Sequence, residues 1–207
     1  MTRYLYLLLL AFLTGCTSFS QTTQQTTAQL QLPTSPYHSS IDIEGRMSIR
    51  YQQNGNDENL QGKFTWSQTP QRTLIALNSP LGQTIAQVEV LPDMAIPTQS
   101  GQPKRKAADA DTLTEIALGW PLPIAGMRDW LQGVAIDQNG QKIVATAQSE
   151  SSSTITTQDG WQIRYVSWQS SETAAPTNHP KRIDLTRTTA QVGKVSIRLV
   201  IDAWQPQ

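Results

Sequence analysis

From Ile41 onward, apolar residues recur at every second position. Ile43, Gly45, Met47, Ile49 and Tyr51 alternate with Glu44, Arg46, Ser48 and Arg50, the period of a strand with one apolar face. Asn54-Gly55-Asn56-Asp57 supplies turn chemistry. A second strand follows, with Leu60, Gly62, Phe64 and Trp66 on one face. Thr69-Pro70 turns the chain, residues 73–77 and 85–91 predict a third and a fourth strand, and Ala95-Ile96 a short fifth ended by Pro97. Strand character returns over residues 143–147, 154–157, 161–168, 182–186 and 195–204. Asp159-Gly160 is the hairpin signal between two of these, and residues 170–180 read as a polar loop. In the last strand Val195, Ile197, Leu199, Ile201 and Ala203 share one face. Short strands at this spacing, joined by Gly, Pro and Asn turns, predict an antiparallel sheet or barrel.

The middle of the chain has a different period. Leu113, Ile116 and Ala117 stand at helical spacing, with Asp109 or Asp111 as cap and Gly119 as stop. Pro121-Leu122-Pro123 cannot continue that helix. A second helix is expected over residues 124–132, with Met127, Trp130 and Leu131 on one side and Gly133 at its end. Lys104-Arg105-Lys106 reads as a solvated loop. The chain is therefore expected to be mainly β with a smaller helical part (α+β).

The first 15 residues stand apart. Arg3 precedes an apolar run from Leu5 to Leu13, far short of the roughly 20 residues that span a bilayer as a helix. It has the length of a signal-peptide core. Leu13-Thr14-Gly15-Cys16 then resembles a bacterial lipobox: small residues enter a protease extended, and the Cys16 thiol accepts a diacylglyceryl group. Residues 1–15 are thus expected as a lipoprotein signal peptide. The alternative is an ordinary secretory signal with a chance cysteine. Residues 17–40, rich in Thr, Gln and Ser, bury too little to offset ordering entropy. They read as a tether spanning roughly 25–30 Å as a coil, leaving residues 41–207 as one domain.

Composition narrows the function classes. Cys16 is the one cysteine, so no disulfide forms within the chain. Lys+Arg and Asp+Glu are both 16. Such a balance offers no electrostatic reason for nucleic-acid binding. His38 and His179 fall in the tether and a polar loop, where nothing promises to hold a base against a nucleophile. No Gly-x-Ser-x-Gly elbow, His-Glu-x-x-His motif or phosphate-cradling glycine loop is present. Glu44, Glu89 and Glu115 read as surface carboxylates. The chain is expected not to be an enzyme and to need no metal or diffusible cofactor.

Three features coincide: the lipobox; Phe64-Thr65-Trp66-Ser67-Gln68 leading through residues 73–78 into Ser79-Pro80-Leu81-Gly82; and Pro121-Leu122-Pro123 followed by Met127, Trp130 and Gly133. Together they resemble the LolB family of outer-membrane lipoprotein receptors, over residues 43–204. One departure is clear: the family has a helix before its first strand, where this chain is poor helix material. The resemblance implies about eleven antiparallel strands curled into an open half-barrel with a helical lid. It implies a receptor on the periplasmic face of the outer membrane, anchored by diacylglyceryl and N-acyl lipid on Cys16 and acting as a monomer. Its partners would be the periplasmic carrier LolA, acylated lipoprotein cargo and outer-membrane lipid. Met47, Ile49, Phe64, Trp66, Trp130 and Leu131 are the candidate lining of the acyl-chain cavity. From the residues alone, the commoner fate of such side chains is a closed core. Leu81, matching a protruding leucine of the family, is the candidate membrane-inserting residue. A structural or assembly lipoprotein that binds another outer-membrane protein is the second reading. A third is the carrier itself, against which the lipobox argues, because a carrier must diffuse.

Overall fold

The computed structural model describes residues 33–53, 55–91, 94–97, 122–147, 154–171, 176–189 and 193–207. Cys16, the signal peptide, most of the tether and the expected helix before Gly119 lie outside them. Residues Leu32–Gln207 form one compact unit.

Strands β1 (Ile41–Gln53), β2 (Asn56–Gln68), β3 (Thr73–Asn78), β4 (Thr84–Leu91) and β5 (Met94–Pro97) form a meander. Helix α1 (Ile124–Trp130) follows, then β6 (Val134–Ile136) and β7 (Lys142–Val144). A second meander comprises β8 (Ile155–Thr156), β9 (Gln162–Ser170), β10 (Asn178–Thr189) and β11 (Gly193–Pro206). The main antiparallel sheet has nine strands in the order β5-β4-β3-β2-β1-β11-β10-β9-β8, and β6 and β7 pair separately. β1 joins the two meanders by pairing with β11 from the other end of the chain. The terminal strands β5 and β8 do not meet, so the sheet is open.

The alternation of β1 and β2 sets which face is buried. Ile41, Ile43, Met47 and Ile49 turn inward with Phe64 and Trp66, while Glu44, Arg46, Arg50 and Lys63 face out. Gln53 faces Asn56 across the hairpin, and Gly55 takes φ +81° as an Asn-Gly turn requires. Gly45 has a packing reason. A Cβ there would lie 2.3 Å from the Val200 carbonyl oxygen and 2.7 Å from the Phe64 ring.

Four details differ from the sequence expectation. The ladder between β1 and β11 shifts between Glu44 and Gly45, so Ala203 faces exposed Glu44 and Trp204 faces buried Ile43. Ala203 therefore leaves the inner face, because one extra residue in a strand inverts the alternation beyond it. Residues 170–180 are not simply a loop: Asn178 pairs with Ser170, and Pro180 lies within β10 at a register shift. The irregularity makes room for a residue that cannot donate to the ladder. The short strand β6 has no counterpart in the sequence reading; its three residues are too few to show a period. Residues 33–40, placed in the tether, are held on the body. Ser35 N–H donates to the Asn178 carbonyl at 2.7 Å, and Asn178 N–H to the Pro33 carbonyl at 2.7 Å.

His179 follows that attachment and stacks on Trp204, with ring centroids 4.7 Å apart and Nδ1 buried without a hydrogen bond. Burial, aided by the nearby Lys181 charge, pushes its pKa down from 6.5 to about 4. The unfolded chain therefore takes up a proton first as pH falls. This contribution to stability is complete above pH 6.5 and declines between 6.5 and about 4. Denaturation midpoints measured across that window are expected to fall for the natural chain and to fall less for His179→Gln. Parallel profiles would show that His179 is not the titrating group.

Candidate functional site

The inner face of the sheet and the one described helix form a continuous apolar cluster. Met47, Ile49, Phe64, Trp66, Trp130 and Leu131, the six candidate lining residues, all belong to it, and none is more than 5% exposed. The first four come from β1 and β2; Trp130 ends α1 and Leu131 is its C-cap. In this conformation all six are shut off from solvent. The structure adds residues not singled out from the sequence. Trp161 packs on Trp130 with centroids 6.3 Å apart, and Ile163 and Tyr165 of β9 share the same cluster. Alternation after the Asp159-Gly160 turn was the available signal for them.

Helix α1 lies on this face because Ile124, Met127 and Trp130 form one apolar stripe. With seven residues it is too short to be stable alone, so packing and a few polar ties hold it. Arg128 Nη1 donates to Thr73 Oγ1 at 2.9 Å and Nη2 to the Thr69 carbonyl at 3.0 Å. The Tyr165 hydroxyl donates to the Trp130 carbonyl at 3.0 Å, and burial pushes its pKa up. Just beyond the helix, Gln132 Nε2 donates to the His38 carbonyl at 3.0 Å and Gln132 Oε1 accepts from His38 N–H at 2.8 Å. Most of these ties gather towards the C-terminal end. At the N-terminal end Pro123 offers no side-chain cap.

Buried polar side chains also support the cluster wall. Trp66 Nε1–H donates to Gln68 Oε1 at 3.1 Å, and Gln68 Nε2 donates to the Tyr37 hydroxyl at 3.3 Å. The indole and the amide of Gln68 are therefore both partnered despite full burial.

Leu81 occupies the opposite kind of place. It is 91% exposed, at the tip of the turn between β3 and β4. The turn is internally braced. Gly82 N–H donates to the Ser79 carbonyl at 2.9 Å, Ser79 N–H to the Gln83 carbonyl at 2.7 Å and Gln83 N–H to Ser79 Oγ at 3.2 Å. Gly82 takes φ +86°, where a side chain would be strained. A rigid turn thus presents one bulky apolar side chain to the surroundings. The two parts expected to handle lipid are separate in space: a buried apolar face, and a lone leucine on an outward loop.

No helix among the described residues is long and apolar enough to cross a membrane. Residues 39–204 match the family described as Outer membrane lipoprotein LolB. The outer-membrane lipoprotein LolB of Cupriavidus taiwanensis is 44% identical over 164 residues, covering 78% of this chain and 79% of that protein. That of Cupriavidus necator is 43% identical over 162 residues, with 78% and 79% covered. That of Chromobacterium violaceum is 30% identical over 166 residues, with 80% of each covered. Among solved structures, a LolA superfamily protein from Nitrosomonas europaea has a TM-score of 0.46 at 10% identity, over 84% of this chain and 88% of that one; at that level no property is carried across. The match over most of the chain and the identities to these relatives establish that this protein belongs to the outer-membrane lipoprotein LolB family.

Proposed function

We propose that this chain, lipidated on Cys16, accepts acylated lipoproteins from the carrier LolA against its inner apolar face and inserts them into the outer membrane through its Leu81 loop. Family membership makes it an outer-membrane lipoprotein and a receptor of the Lol system. The finer assignment is carried by Leu81, an exposed leucine on a braced turn, in a molecule whose inner face carries one continuous apolar cluster.

The physical task explains that division. Acyl chains are excluded from water by roughly 0.8 kcal/mol per methylene, so they cross an aqueous space only if covered. The inner face offers such cover once it opens. On this reading α1 is the moving part, hinged at its better-tied C-terminal end, and guest methylenes replace the contacts its side chains give up. Transfer needs no nucleotide. A tenfold preference for this site over the carrier takes only about 1.4 kcal/mol. Signal cleavage before Cys16 and acylation of that thiol would keep the site at the membrane where cargo is released.

The second reading, an assembly lipoprotein, is separated from this one by a transfer assay. The mature chain from residue 16 with Cys16→Ala should strip acylated cargo from the carrier at the rate of the natural receptor, because the anchor takes no part in binding. An assembly factor would leave the cargo on the carrier, and that result would remove the receptor reading.

A further inference from the structure

We infer that the outer face of the sheet beside the Leu81 loop docks onto anionic phospholipid headgroups; this rests on the membrane role proposed for Leu81. The whole chain is balanced, with 16 cations and 16 anions, yet this face is not. Register places its side chains in neighbouring rows. Lys63 faces Arg46, which faces Val200, which faces Arg182. In the next row Ser48 faces Arg198, then Asp184, then Arg164. Arg50 lies in the row beyond, opposite Ser196.

Acidic groups on this face are too few to neutralise it. Asp184 is shared by Arg182 at 2.8 Å, Arg164 at 3.0 Å and Arg198 at 3.4 Å. Asp202 is shared by Arg46 at 2.8 Å and Lys181 at 3.8 Å. Lys63 and Arg50 have no carboxylate partner among the described residues. With Asp42, Glu44 and Asp57 on the same face counted, five carboxylates stand against eight cations, Lys194 among them.

The position of this excess selects the partner. A groove of about 330 Å³ runs along the outer face between Arg46, Lys63 and Arg198, floored in part by Gly62 and Val200 and walled by Pro80. Pro80 immediately precedes Leu81. Hence the cationic groove and the exposed leucine are continuous, and one approach to a surface engages both. A bilayer is the partner that offers an apolar interior and phosphate charges within a few ångströms of each other. Guanidinium and ammonium groups suit phosphate oxygens, and each basic side chain near an anionic membrane adds roughly a fivefold preference. The loop alone would dip; the groove would set which side of the molecule faces the lipid.

The test uses the mature chain from residue 16 with Cys16→Ala, which retains the whole compact unit. Partitioning is measured onto phosphatidylcholine vesicles with and without about 30% phosphatidylglycerol. Lys63→Gln combined with Arg198→Gln should lower partitioning onto the anionic vesicles by about thirtyfold at low salt and leave the neutral vesicles unaffected. Lys63→Arg with Arg198→Lys should retain the preference, which controls for folding. Leu81→Glu should weaken binding to both vesicle types. Undiminished anionic binding by the Gln double variant overturns the inference, and the Leu81 reading then stands or falls on its own variant. Competition by inorganic phosphate at matched ionic strength would reveal a site for a soluble anion instead. Loss of cargo uptake from the carrier with vesicle binding intact would reveal a protein contact. Either result overturns the lipid assignment.

Discussion

Leu81→Glu is expected to leave cargo uptake from the carrier intact and to cut delivery into the bilayer by at least about thirtyfold. Burying a leucine side chain in an apolar medium yields roughly 1.5–3 kcal/mol, and two of those kilocalories correspond to about a thirtyfold rate change. Glutamate loses that gain and adds a charge that an anionic surface repels, so the estimate is a lower bound. Uptake is spared because Leu81 is 91% exposed and lies outside the apolar cluster. The turn itself survives, since its bonds come from Ser79, Gly82 and Gln83. Leu81→Met should deliver normally. The measurement is a two-stage assay, with carrier-to-receptor transfer read separately from receptor-to-vesicle transfer. Delivery at the normal rate by Leu81→Glu would refute the insertion role.

Trp66→Ala is the second large effect, and it falls on stability. Trp66 is 1% exposed within the inner cluster, and its removal leaves both a void and an orphaned Gln68 Oε1. Large-to-small changes at buried Trp cost about 3–5 kcal/mol, a major part of the 5–15 kcal/mol typical of a domain. The urea midpoint should fall accordingly, and cargo uptake with it, because the wall of the proposed acyl-chain site would collapse. Trp66→Phe separates the two contributions. It keeps an apolar ring but loses the N–H bond and part of the ring volume, for about 2 kcal/mol, and should retain uptake. A loss below about 1 kcal/mol for the alanine variant would show that the indole is not packed as described.

The folded inner face also bears on how cargo would enter on the proposed reading. The six candidate lining residues are brought together, but as a closed cluster. Sequence periodicity identifies the inward side of each strand without saying whether a space is left between strand and helix. That depends on how α1 lies across the sheet, and α1 is placed by long-range partners such as Thr73, Tyr165 and His38. None of those pairs has a local sequence signature.

Sequence alone determined much of the local structure. Alternation in β1 and β2, the Asn-Gly and Asp-Gly turns and the apolar stripe of α1 each arise from neighbours a few residues apart, so their signals lie side by side in the chain. The Ser79-Pro80-Leu81-Gly82 turn was legible for the same reason, and the family resemblance singled out its leucine. Tertiary structure decided the rest. The pairing of β1 with β11, the inversion that turns Trp204 inward instead of Ala203, Pro180 inside β10 and the attachment of residues 33–40 all depend on backbone bonds between distant segments. The cationic outer face belongs to the same class. Its charges are dispersed over five strands, and only the register of the folded sheet brings Arg46, Lys63 and Arg198 together beside Pro80.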